Sequence, residues 1–196
     1  VALPLAAAAI LWDLFVSHEL GWRQALRSAA LIVGVAALVA APWLGRNMLV
    51  YGWRDPLGLL RHDAVVVGQL RTSTLVAEIG VPAYLLRYAR TTFQSFWGQF
   101  GWMAAPLPER AYLALGLLVL VGTVGLLQTA LSDLRRADRQ VHRGVALLVL
   151  WAAMTTLSFV WYNLQFVQFQ GRYLFPALAP LAIGLACGLI AAVQRP

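Results

Sequence analysis

The sequence predicts an all-α, polytopic integral membrane protein, and three observations predict it. Hydrophobic residues fill 61% of the 196 positions and charged residues only 12%, where soluble domains carry about 25% charged; mean hydropathy is +0.72. Four long intervals, 28–45, 111–132, 144–171 and 173–194, contain no charge at all, and about 20 apolar residues suffice to cross roughly 30 Å of hydrocarbon. The remaining charges gather between those intervals instead of on them.

Residues 1–12 are apolar, with no basic flank before them and no small-residue cleavage site after them, so they do not read as a signal peptide. They read as the tail of a further span, truncated here. The expectation is therefore about five transmembrane helices, the first incomplete, in the C-terminal part of a longer protein. All 15 basic residues are Arg against 8 acidic residues, giving a net charge of +7. Nucleic-acid binding would need that charge clustered on one face of a folded domain; here it brackets hydrophobic segments, which is the pattern of membrane topology. The single Cys187 excludes an internal disulfide and any cysteine-built zinc site.

Short Arg-rich loops stay in the cytoplasm. Arg23 with Arg27 form one such loop, and Arg135, Arg136, Arg139 and Arg143 the other. Alternating spans then put 46–110 and the short turn 165–172 outside and the C-terminus inside. Within 46–110, residues 81–102 have a helical period that sets Leu85, Leu86, Ala89, Phe93, Phe96, Trp97 and Phe100 on one side and Arg87, Arg90, Thr91 and Gln94 on the other. That opposition predicts an amphipathic helix lying in the membrane interface and started by Pro82, not a further span. Arg87, Arg90, Trp97 and Trp102 are its interfacial anchors. Asp55-Pro56 predicts another helix over 57–70, with Asp55 as N-cap.

Two outer helix ends resemble each other: Arg46-Asn47 after Pro42-Trp43, and Gln170-Gly171-Arg172-Tyr173 before Pro176. Arg matches phosphate or carboxylate oxygens bidentately. Arg46, Asn47, Tyr51, Gln170, Arg172 and Tyr173 are thus the candidates for an anionic lipid headgroup, against the plainer reading of snorkelling boundary residues. Asp63 stands beside His62, and Asp13 near an inner helix end. His18, His62 and His142 are scattered and lack metal-ligand spacing. No cofactor is expected within this chain, and a divalent metal in the full-length protein stays open. Gly184 and Gly188 form a GxxxG that lets helices pack closely within the protein.

Three strings carry a family resemblance: Gly45-Arg46-Asn47 with Tyr51-Gly52 and Asp55-Pro56-Leu57-Gly58; Ser95-Phe96-Trp97-Gly98-Gln99-Phe100-Gly101-Trp102; and Gln170-Gly171-Arg172-Tyr173-Leu174-Phe175-Pro176. Over nearly the whole chain they resemble a bacterial family of membrane proteins, domain of unknown function 2142, which in turn looks like the GT-C membrane glycosyltransferases. Trp53-Arg54 interrupts the first string. The resemblance implies a multi-span inner-membrane enzyme that takes a sugar from a polyprenyl-phosphate donor on the extracytoplasmic side. In that class the general base is an acid in the first outer loop. No residue here matches it, so the resemblance places the base upstream and leaves the catalytic residues of this chain unknown. A non-enzymatic transporter or flippase component for lipid-linked sugars, or a structural membrane subunit, would use the same spans.

Overall fold

A computed structural model describes residues 2–15, 21–58, 61, 68–100, 103–132 and 139–194. The protein is all-α and polytopic; among the described residues it has one two-stranded hairpin and four helices long and apolar enough to cross a membrane. The chain forms two compact units, Val1–Gln69 and Leu70–Pro196.

In the first unit, helix α1 (Ala2–Phe15) packs against α2 (Trp22–Tyr51). The side-chain oxygen of Gln24 accepts a hydrogen bond from the Gly21 N–H at 3.3 Å, which satisfies a donor at the entry to α2. Pro42 lies inside α2 without ending it. The helix stops where Gly52 takes φ 91 and its N–H donates back to the Met48 carbonyl. Thirty residues at 1.5 Å each make α2 about 45 Å long, longer than the hydrocarbon layer. The uncharged stretch 28–45 is only its middle, and Arg46, Asn47 and Tyr51 stand on its last turns, not in a loop. Leu38 and Val39 are each 75% exposed; side chains turned outward in this way find an apolar solvent only in lipid.

The second unit holds α3 (Thr72–Ile79), α4 (Val81–Gly98), a hairpin of β1 (Gln99–Phe100) and β2 (Ala105–Pro106), and the spans α5 (Glu109–Ser132) and α6 (Arg139–Gln165). A 3-10 helix (Gly171–Ala177) then leads into α7 (Leu178–Gln194). Helices α5 and α7 run parallel at very close approach, because glycines meet there. A Cβ on Gly125 would overlap the Gly188 carbonyl, and one on Gly188 the Gly122 carbonyl. Gly184 stands at ordinary distance from Leu126. The tight contact is thus made by Gly122, Gly125 and Gly188, not by the GxxxG of α7 as a pair.

Several boundaries differ from the sequence reading, each for a local reason. Helix α6 ends at Gln165 rather than continuing to 171, because Val167 gives its N–H to the Leu70 carbonyl and Arg71 forms a β-bridge with Phe166. Helix α3 was not expected; α4 ends at Gly98, so Phe100 belongs to the hairpin. Asp55 is followed first by a turn, which Gly58, at φ 71, closes by donating to the Asp55 carbonyl at 3.1 Å. Most of 57–70 lies outside the described residues.

Candidate functional site

At the end of α2, Asn47 is 2% exposed and acts as the clamp of the following turn. Its Nδ2 donates to the Pro56 carbonyl at 3.1 Å, and its Oδ1 accepts from the exposed Arg46 guanidinium at 3.3 Å. Gly58 lies under the ring of Tyr51, and buried Asp55 accepts the Arg61 N–H at 3.0 Å. The first of the three strings therefore folds into one local structure, with Arg46 presented outward from a buried polar base. Burying an amide without partners would cost about 1–3 kcal/mol, so both ends of Asn47 are used.

The second unit assembles a larger polar centre around Asn163, 3% exposed in the last turn of α6. The Asn163 carbonyl, freed at the helix terminus, accepts the Thr72 hydroxyl at 2.7 Å and the Tyr84 hydroxyl at 3.0 Å. Its side-chain Oδ1 accepts the Gln168 N–H at 2.9 Å, and its Nδ2 donates to Phe159 at 2.9 Å. Further along α4, the Thr92 hydroxyl donates to the Phe169 carbonyl at 3.0 Å, and the Gly171 N–H donates to the Ser95 hydroxyl at 2.7 Å. Close approach requires glycine here: a Cβ on Gly171 would overlap the Thr92 carbonyl and stand 2.6 Å from the Phe96 backbone nitrogen. Tyr84, Tyr88, Phe159 and Phe169 fill the space beneath with stacked and edge-on rings 5.3–6.3 Å apart. Burial, and secondarily Tyr84 beside it, raises the Tyr88 hydroxyl above its ordinary pKa of 10.0.

This scaffold fixes the segment 166–173 from below and leaves its polar tips outward. Arg172 and Tyr173 are exposed, Gln170 is half-buried, and the Arg172 guanidinium lies 5.6 Å from the Tyr173 ring centroid. The Gln168 side-chain amide donates to the Tyr173 hydroxyl at 3.2 Å. A guanidinium, a phenol and an amide held side by side form a donor set suited to phosphate oxygens. Gln168 joins this group without having been singled out from the sequence.

The remaining expected residues separate. Arg46, Asn47 and Tyr51 belong to the first unit, and Gln170, Arg172 and Tyr173 to the second. On α4, Arg87 is exposed, Arg90 pairs with Glu109, and Trp97 packs edge-on to Phe93 and Phe96. Trp102, Asp63, His62 and His18 lie outside the described residues. Asp13 stands on α1, His142 on the first turn of α6, and Cys187 is exposed on α7. Among the described residues no three His, Cys, Asp or Glu side chains gather as a metal-binding group.

The sequence missed the hydroxyl stripe Tyr84, Tyr88, Thr92 and Ser95, although its signal was present. Those residues recur at helical spacing between the apolar and the Arg-bearing faces of α4. Compared with known proteins, the chain matches no family model, no curated protein and no solved structure.

Proposed function

We propose that this chain is part of a GT-C-like membrane glycosyltransferase that uses a polyprenyl-phosphate-linked sugar donor on the extracytoplasmic side of a bacterial inner membrane. The observation that supports the reading is the rigid 166–173 segment. It sets Arg172, Tyr173 and Gln168 at the end of a spanning helix, the depth at which the phosphate of a membrane-embedded lipid donor lies. Arg46, on its buried Asn47 base at the end of α2, is a second cation of the same kind.

On this reading the chain's part in the reaction is electrostatic. An acceptor hydroxyl loses its proton to a base outside the residues assigned here, its oxygen bonds to the sugar, and the bond from sugar to phosphate breaks. Arg172 stabilises the negative charge that collects on the leaving phosphate. The orientation rests on Arg139 and Arg143, which begin α6 at the opposite end of the bundle and favour the cytoplasm. Charge-free span centres favour an enzyme working at the boundary over a transporter, which needs ionisable or broken-helix features at mid-depth.

The test is binding of a polyprenyl-phosphate sugar to the full-length protein in nanodiscs, read by native mass spectrometry. Losing one charged hydrogen-bonding partner costs about 1.5–3 kcal/mol, so Arg172→Ala should weaken binding roughly tenfold or more. Undiminished binding removes Arg172 from the role. Donor translocation without sugar transfer would replace the enzyme by a flippase.

A further inference from the structure

Helix α4 crosses one end of the bundle instead of running beside a span. Its first turns bond to Asn163 at the end of α6, and its middle bonds to Phe169 and Gly171 ahead of α7. At its C-terminal end, the Gly98 carbonyl accepts the hydroxyl of buried Tyr112, which also takes the Leu107 N–H at 2.9 Å. Tyr112 lies in the first turn of α5. The start of α5, the end of α6 and the start of α7 lie on one side of any membrane these helices cross. Being bonded to all three, α4 is held at that boundary.

The helix has three faces. Tyr84, Tyr88, Thr92 and Ser95 hold it to the protein. Leu85 and Leu86 are 55% and 70% exposed, on the same apolar side as Ala89. Arg87 and Arg90 flank that side, away from the protein contact. An apolar strip edged by Arg at the level of span ends meets hydrocarbon with the Leu side chains and lipid phosphate with the guanidinium groups.

We propose that α4 is an anionic-lipid-binding helix, in which Leu85 and Leu86 enter the acyl boundary and Arg87 and Arg90 bind the phosphates of acidic phospholipids. Arg90 reaches its lipid from the exposed pair with Glu109, which is weakly held because solvent screens it. This inference does not depend on the sugar donor or on Arg172.

The experiment uses the full-length protein in nanodiscs, in a Cys187→Ser background with a nitroxide at Leu86→Cys. Power-saturation spectroscopy should show the label more accessible to oxygen than to a water-soluble nickel chelate. The reverse order overturns the insertion. Lipid selectivity is read from spin-labelled phosphatidylglycerol against spin-labelled phosphatidylcholine in vesicles mixing the two. Each basic residue at an anionic surface is worth about fivefold in association, so Arg87→Gln should cut the preference for phosphatidylglycerol by about that factor. An unchanged preference in the Arg87→Gln/Arg90→Gln double variant overturns the site. Free inorganic phosphate at the same concentration should leave the preference intact; full competition by it would show an anion site indifferent to lipid and overturn the proposal.

Discussion

Gly171→Ala should loosen the whole layer at the end of the bundle. The added methyl has no room: the Thr92 carbonyl overlaps it, and the Phe96 nitrogen and Cβ stand 2.6 Å away. Two of those three atoms are helix backbone, which cannot swing aside as a side chain would, so the 3-10 helix must lift from α4. Overpacking of this kind costs about 1–3 kcal/mol. Lifting also stretches the bonds from Gly171 to Ser95 and from Thr92 to Phe169, worth about 1 kcal/mol each. The edge-on contact of Phe96 with Phe175 at 5.6 Å weakens with them. Against this, alanine restricts the unfolded chain and returns about 0.4–1 kcal/mol. The expected loss is about 2–4 kcal/mol, a large share of the roughly 5–15 kcal/mol that holds a domain together. Denaturant titration of the purified full-length protein in mild detergent measures it, with Gly144→Ala as the comparison. Gly144 lies on α6 with nothing within 4 Å, so alanine there should be neutral or stabilise by up to about 1 kcal/mol. If the two variants unfold alike, the wedge at Gly171 is not what holds the layer.

The glycine crossing of α5 and α7 gives a second contrast. Gly188→Ala should cost about 1–3 kcal/mol in the same titration, while Gly184→Ala, facing Leu126 at 3.5 Å, should change little; equal effects would refute the assigned contact. Asn47→Asp keeps the shape but sets an acceptor against the Pro56 carbonyl, so limited proteolysis should cut within 52–58 faster than in the wild type, and an unchanged rate would remove the clamp. The raised Tyr88 pKa means that the folded state holds this proton more tightly than the unfolded one. Its stabilising contribution is therefore complete below pH 10.0 and is lost as pH climbs through the folded value. Tyr88→Phe should flatten that alkaline limb of a stability profile, and an identical limb in the variant would show that other groups carry it.

The fold was legible where one physical signal dominates. Absence of charge over a span's length leaves a chain few choices in lipid, since only a helix satisfies its own backbone there. The intervals 28–45, 111–132 and 173–194 accordingly fall within spanning helices. The ends were harder to read. Nothing in Arg46 to Tyr51 opposes a helix until Gly52 turns, so charge marks where α2 leaves hydrocarbon and not where it stops. Conversely, 166–170 is uncharged yet not helical, because its backbone bonds to Leu70 and to the side chain of Thr92 on α4, which lies 77 residues before its partner Phe169. Pairing at that separation leaves no local trace.

The same division explains the candidate site. Arg46, Arg172 and Tyr173 were visible because charge and aromatics at a span boundary are conspicuous, but what holds them was not. Asn163, inside an interval that reads as featureless membrane helix, has its carbonyl shared by Thr72 and Tyr84 and its side chain turned to Gln168. In hydrocarbon an asparagine is expensive unless every donor and acceptor is met. Its position one turn from the end of α6 is where freed carbonyls and a departing chain supply those partners. A polar residue in the last turn of a charge-free span is therefore a sign that something docks there, and here α3, α4 and the connector all do. Exposed Arg172 is the part of the segment that the sequence makes conspicuous; Asn163 and Gly171, which hold the segment in a fixed place, are the part it does not.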